Sequence, residues 1–175
     1  MTVEYRILYV WVEGRDDAIL FENIIKPLFH EAYDWVAVRP YASESSEYIT
    51  NFIRSVNAMP ADYIFVADIN LSPCITHKKQ RLQETYNNLD ENRIQVVIQE
   101  IESWYLAGLD DESAEKLGLR TFANTDNLTK EQFNPLMPKR FDSRIDFMSE
   151  ILKYFSIDTA QQKNRSFSYF IGKYQ

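Results

Sequence analysis

An α/β fold of about four parallel strands flanked by helices, with a C-terminal helical extension, is predicted by three features of the 175-residue sequence. Short apolar runs alternate with helix-like segments through the first half. Those runs are nearly continuous, as expected of strands covered on both faces. The second half has no convincing strand. Strands separated by helical segments of ordinary length imply right-handed crossovers and a parallel sheet.

Tyr5 to Val12 (YRILYVWV) reads as the first strand. Asp16 and Asp17 then supply a cap and dipole-favoured acids, and Ile19, Leu20, Ile24, Leu28 and Phe29 recur at helical spacing until His30. Trp35 to Arg39 (WVAVR) is the second strand. Ser43, Ser46 and Glu47 front a helix carrying Ile49, Phe52, Ile53 and Val56, which ends before Pro60. Tyr63 to Ala67 (YIFVA) is a third buried strand running into Asp68. Beyond Pro73, His77 to Leu89 reads as a basic, exposed helix. Ile94 to Ile98 (IQVVI) is the fourth strand, leading straight into a helix over Gln99 to Leu106. Asp111 to Leu117, Lys130 to Met137, Asp142 to Phe155 and Thr159 to Lys173 are expected helices, with Thr121 to Leu128 as a polar connector. These elements divide into an α/β core over residues 1–109 and a helical extension over 110–175, packed as one domain.

Composition narrows the function. Hydrophobic residues make up 45% and charged residues 26%, an ordinary globular balance that argues against disorder. The four glycines, Gly14, Gly108, Gly118 and Gly172, are too scattered for a glycine-rich phosphate loop. Cys74 is the only cysteine, so neither an internal disulfide nor a cysteine-ligated zinc is available. His30 and His77 match no zinc-binding helix spacing. No apolar run approaches the length of a membrane span, so a cytoplasmic protein with no membrane partner is expected. The net charge is -7, which weakens any tight nonspecific grip on nucleic acid. The segment from Lys139 to Gln175 runs against this, with seven Lys or Arg against four Asp or Glu.

In an open parallel sheet, ligands collect beyond the carboxyl ends of the strands. Strand one ends in Val12-Glu13-Gly14 with Asp16 and Asp17 next; strand three ends in Asp68-Ile69-Asn70; strand four runs into Glu100 and Glu102. Three strands thus deliver carboxylate or amide oxygens to one edge. Hard oxygen donors suit Mg²⁺ or Mn²⁺, which bind carboxylates, waters and phosphate oxygens.

These residues resemble the Toprim domain. An apolar strand ending in Glu13-Gly14 before an acid-capped helix is similar to its first motif, and Asp68-x-Asn70 to its second, usually Asp-x-Asp. A narrower resemblance, to the DUF4276 Toprim-like proteins related to OLD-type nucleases, rests on three further features. Cys74 follows the Asp68 motif with Lys78, Lys79 and Arg81 after it. Ile101-Glu102-Ser103-Trp104-Tyr105-Leu106 is similar to that family's Ile-Glu-x-Trp signature. Ser166-Phe167-Ser168-Tyr169-Phe170 is similar to its closing Ser-x-x-Phe helix.

The resemblance implies a Rossmann-like Toprim fold and a Mg²⁺- or Mn²⁺-dependent nuclease acting on nucleic acid, DNA rather than RNA, in phage defence. It implies Glu13, Asp68 and Glu102 as catalytic residues, with Glu13 as a general acid or base. Glu13, Asp68, Asn70 and Asp17 would serve around the metal, and Lys78, Lys79 and Arg81 would face nucleic acid. Two departures stand out: Asn70 replaces an acid, and Arg15-Asp16-Asp17 stands where relatives carry Thr with an acid. The alternative is a noncatalytic module that binds a partner ATPase or another defence protein.

Each candidate also has a plainer role. Glu13 and Asp17 can serve as helix-start acids, Asn70 as a solvated loop residue, and Glu100 as a rim acid. Trp104, Tyr105 and Leu106 read as core, Cys74 as incidental, and the Lys78–Arg81 run as a solvated face. If strands one and three are neighbours, the Glu13 and Asp68 carboxylates should converge within roughly 4–7 Å, given oxygen–metal bonds near 2.1 Å.

Overall fold

The computed structural model describes residues 5–175. Four strands, β1 (Ile7–Val12), β2 (Trp35–Pro40), β3 (Ala61–Asp68) and β4 (Ile94–Val97), form one sheet in the order β2-β1-β3-β4. β1 pairs in parallel with β2, Ile7 opposite Trp35, and with β3, Ile7 opposite Ala61. The expected α/β class and four-stranded parallel sheet are therefore present. The chain divides into two compact units, Met1–Val96 and Val97–Gln175. The sequence reading had placed its division at residues 109 and 110, so the segment carrying Glu102 falls in the C-terminal unit.

In the N-terminal unit, successive side chains of β1 and β3 point to opposite faces. Leu8, Val10 and Val12 are buried, and so is Trp11 on the alternate face. Both faces are covered, which is why these segments carry almost no polar residue. Trp11, Tyr63 and Phe65 form one core cluster with Ile49, Ile53 and Val56 of helix α2 (Ser46–Asn57) and Leu82 of helix α3 (Ile75–Thr85). Aromatic rings fill much of it. Phe52 meets Tyr9 and Trp11 edge-on with centroids 5.0 and 4.9 Å away, and Tyr41 stacks on Phe65 at 4.6 Å. Ser45 caps α2 by accepting the Tyr48 N–H, two residues on from the expected Ser43.

The segment after β1 departs from the single helix expected to run to His30. Helix α1 covers only Arg15–Leu20; a π-helical turn, Phe21–Ile25, and a 3-10 turn, Lys26–Phe29, follow. Pro27 supplies the reason, since it has no N–H to give the Asn23 carbonyl and its ring crowds that carbonyl. The buried face is kept through the change, with Leu20, Phe21, Ile25 and Phe29 all inside.

The C-terminal unit begins with the last residue of β4 and contains α4 (Glu102–Ala107), α5 (Asp111–Leu117), α6 (Lys130–Phe133), α7 (Arg144–Lys153), α8 (Ile157–Lys163) and α9 (Arg165–Tyr174). Gln99 adopts φ +62°, a left-handed conformation, so the helix expected from Gln99 starts only at Glu102. The helix expected over Thr159 to Lys173 is two helices. Asn164 breaks it at φ −141° and ψ 117°, and its side-chain oxygen accepts the Phe167 N–H that opens α9.

Asn164 does more than cap. Its amide donates to Ser103 Oγ at 3.3 Å and to Thr125 Oγ1 at 3.1 Å, while Ser166 Oγ donates to its oxygen at 2.9 Å. Trp104 Nε1 in turn donates to Ser166 Oγ at 2.8 Å. All five side chains are buried, where an unsatisfied polar group is costly. Replacing Asn164 with Ala leaves Ser103, Thr125 and Ser166 short of a partner and removes the cap. It should destabilise the protein by about 2–4 kcal/mol in chemical denaturation; Ser166→Ala should cost less, because the Asn164 cap on Phe167 survives although Trp104 and Ile98 lose an acceptor.

Candidate functional site

Adjacent pairing of β1 and β3 brings Glu13, just past β1, and Asp68, the last residue of β3, to the carboxyl edge of the sheet. Asp68 is only 9% exposed and Asp17 is buried with it, whereas Glu13 is half-buried. The backbone at this edge is tied together by the chain after β2, where the Tyr41 N–H donates to the Val12 carbonyl and the Ala42 N–H to the Glu13 carbonyl.

Tyr41 lies in the field of these acids. Its hydroxyl donates to the Val66 carbonyl at 3.1 Å, and its ring is buried. Burial, followed by the charges of Glu13, Asp17 and Asp68, holds the phenol well above its ordinary pKa, so it stays neutral. Tyr86 is likewise pushed up by burial and by Glu13. Lys78, half-buried in the first turn of α3, has its pKa lowered by burial, while the charges of Glu13 and Asp68 oppose that shift. Glu13 and Asp68 therefore act on both Tyr41 and Lys78.

Asp17 carries a defined structural role here: its Oδ2 accepts the Gly14 N–H at 3.2 Å. Gly14 itself is extended, at φ −140°, and a Cβ there would meet only Asp17 Oδ2 at an ordinary 3.8 Å. Any residue adopts this conformation, so the backbone here makes no demand for a glycine. The left-handed residue at this edge is Asn70, at φ 49°. Asn tolerates that conformation well, which gives its presence two residues after Asp68 a backbone reason. Asn70, Ser72, Lys78, Arg81 and Thr85 line an open groove of about 300 Å³. Lys79 is half-buried on α3 and outside that lining. Cys74 is free and exposed.

In the C-terminal unit, Glu102 is buried and ion-paired with Arg144 of α7, which also donates to Asn134. Burial pushes the Glu102 carboxyl above its ordinary pKa, with Arg144 opposing the shift. Glu100 accepts the Lys130 N–H at 2.6 Å, fastening the start of α6. The Ile-Glu-x-Trp and Ser-x-x-Phe segments meet through the Trp104–Ser166 hydrogen bond, and Trp104, Tyr105 and Leu106 are core as expected.

The sequence reading missed Tyr41 and Arg144. Tyr41 sits just past the end of β2, the one strand end not inspected for functional groups, so the same rule would have found it. Arg144 lies 42 residues from Glu102 and gives no local signal.

Oxygen donors of this kind fit Mg²⁺, which needs only one or two protein carboxylates beside water and phosphate. Among the described residues, however, no three His, Cys, Asp or Glu side chains group together to hold a metal ion. Among the described residues, no helix is long and apolar enough to cross a membrane.

No family model matches the chain, and no curated protein matches it in sequence. Among solved structures, it is similar to the C-terminal region of the OLD protein of Xanthomonas campestris pv. campestris, at 13% identity and a TM-score of 0.45, over 98% of each chain.

Arg144→Met leaves the Glu102 carboxylate buried without its cation and should cost about 3 kcal/mol in chemical denaturation. A pH series supplies a second readout. The folded Glu102 pKa lies above the unfolded value, so this carboxyl stabilises the fold at pH below 4.5, and that contribution is lost as pH rises through the folded pKa. The stability difference between wild type and Glu102→Gln should shift against the wild type over that rise.

Proposed function

We propose that the chain is a Mg²⁺- or Mn²⁺-dependent phosphodiester-processing protein of Toprim type acting on nucleic acid, DNA rather than RNA. The observation that carries this reading is the placement of Glu13 and Asp68 at the ends of two adjacent parallel strands, with Lys78 in the field of both. Glu13 and Asp68 would hold the ion, with the Asn70 amide nearby and Asp17 keeping the turn after β1 in place. Bound there, a divalent ion would polarise the phosphodiester and stabilise charge on the leaving oxygen.

The protein's own residues would do the rest. Lys78 and Arg81, which line the groove beside Asn70, would receive phosphates, and Lys79 would add charge to the same helix. Tyr41, neutral and fastened to the Val66 carbonyl, would hold the floor beneath the acids dry and rigid. Glu13 would also serve as the general acid or base that the Toprim resemblance implies. Glu102 enters this reading through the motif it belongs to, and its pairing with Arg144 gives it a positioning task within its own unit.

A second reading, a noncatalytic module that binds a partner ATPase or other defence protein, is favoured by one observation. Leu71, next to Asn70, is 100% exposed, and Ile75 is 45% exposed, an apolar pair beside the strand-end acids.

Melting with and without Mn²⁺ tests the first reading. Ion at a hundredfold excess over its Kd should stabilise wild type by about 2.7 kcal/mol, and Glu13→Gln should lose that gain. Equal shifts in both proteins would place the ion elsewhere. Asp68→Asn should abolish any Mn²⁺-dependent nicking, whereas Asn70→Asp should tighten metal binding. Wild-type protein inactive on every nucleic acid, with partner capture lost in Leu71→Asp, would establish the second reading instead.

A further inference from the structure

We propose that Leu71 is a wedge that packs against an unstacked nucleobase while Lys78 and Arg81 hold the phosphates beside it. The groove between the turn after β3 and helix α3 then takes single-stranded nucleic acid in preference to a duplex. The inference rests on reading the protein as one that acts on nucleic acid, and it names the form of the strand. It needs neither the strand-end acids nor a metal ion.

The turn places the wedge. The Ser72 N–H donates to the Ile69 carbonyl at 3.1 Å, and Asn70 supplies the left-handed residue within the bend, at φ 49°. Leu71 therefore stands at the tip of this turn, with its side chain 100% exposed. Turn tips ordinarily carry Gly, Asn, Asp, Ser or Pro, so the bend itself gives no reason for a leucine. A lone exposed leucine would carry no weight, because such residues are common on protein surfaces. Leu71 has company. Ile75, the first residue of α3, is 45% exposed, and Lys78 follows it at the spacing that puts both on one helical face. The same stripe continues through Arg81, Leu82 and Thr85, and the last four of these side chains face the turn across the groove.

Charge decides between occupants. Lys78 and Arg81 line the groove together with Leu71, Ser72 and Thr85, and no carboxylate is among the described residues that line it. In a chain of net charge -7, two cations and no acid thus surround one apolar tip. That combination suits a polyanion that also carries apolar faces, as a nucleic acid strand does. An apolar protein segment would gain from Leu71 and Ile75 but would leave the cations to be desolvated without partners. Shape then decides between strand forms. The groove, about 300 Å³, is at the small end of ligand pockets and holds roughly one nucleotide. In a duplex the base faces are covered by their neighbours, and opening a step for an inserted leucine costs a few kcal/mol. A single strand presents base faces without that cost.

Fluorescence anisotropy of the full chain with one labelled oligonucleotide, single-stranded and as a blunt duplex, tests this in chelator-containing buffer. Wild type should bind the single strand about tenfold more tightly than the duplex, or better. Leu71→Ala should weaken single-strand binding about tenfold through lost apolar contact, with the slope of log affinity against log salt unchanged. Because Leu71 is fully exposed, this variant should melt with wild type. Lys78→Met and Arg81→Met should each flatten the salt slope by about 0.7, the share of one phosphate contact on a single strand. Leu71→Phe should keep the tight binding, since a ring stacks on a base. A single strand held equally by wild type and Leu71→Ala, or a duplex held as tightly as the single strand, would overturn the wedge while leaving the nucleic-acid reading intact. Wild type that binds neither form would overturn both.

Discussion

Parallel pairing of β1 with β3 is the constraint on which the candidate site depends. Its register, Ile7 opposite Ala61 through Trp11 opposite Phe65, brings the two strands out at the same edge. A slip of one residue would turn every side chain of a strand to the other face and force Trp11 or Phe65 into a core packed around other side chains. The cores on both faces thus protect the alignment of Glu13 with Asp68, although neither acid contributes to it. Asp68 follows four buried apolar residues, a place where charge is expensive unless something compensates. Lys78, half-buried on α3, is a positive charge in the field of Asp68 and Glu13.

A different logic governs the C-terminal unit. There the buried polar groups form a closed network, in which Trp104, Ser166, Asn164, Ser103 and Thr125 satisfy one another. Such networks specify a unique packing when complete and are costly when broken. The two sequence segments that look most like signatures, Ile101 to Leu106 and Ser166 to Phe170, are held together by this network. Their spacing therefore follows from how the unit folds. Glu102 shares that character, because its carboxylate sits against Arg144 of the same unit.

The sheet was legible in the sequence because continuous apolar runs such as Tyr63 to Ala67 have few other uses in a chain of this size. Helix positions were legible wherever a cap was clear, as at Asp111 to Leu117, which is reproduced residue for residue with Asp110 as its cap. Prediction failed where a single residue overrides periodicity. Pro27 and Asn164 interrupt patterns that read as unbroken helices, and Gln99 takes a left-handed backbone that no local pattern signals. At the site, the acids were legible from their place after strands. The lysine was read for its charge alone, since its nearness to Glu13 and Asp68 arises from a crossover that spacing does not encode. Tyr41 belongs to the same class: its ring looks like core and is core, and only its hydroxyl reaches the acids' surroundings.

Among the described residues, β2 lies at the end of the strand order, with no strand on one side of its backbone. An open ladder of that kind invites another chain to add a strand, with aggregation as the usual result. The strand is short, and its last two residues are Arg39 and Pro40. Arg39 lies over the Trp11 and Phe52 rings, 5.4 and 4.7 Å from their centroids, and its Nη2 donates to the Tyr48 hydroxyl at 3.1 Å. Any incoming strand would have to bury that guanidinium or prise it off the rings, and would meet in Pro40 a residue with no N–H to offer. The edge is thus defended at the end where the strand approaches Tyr41.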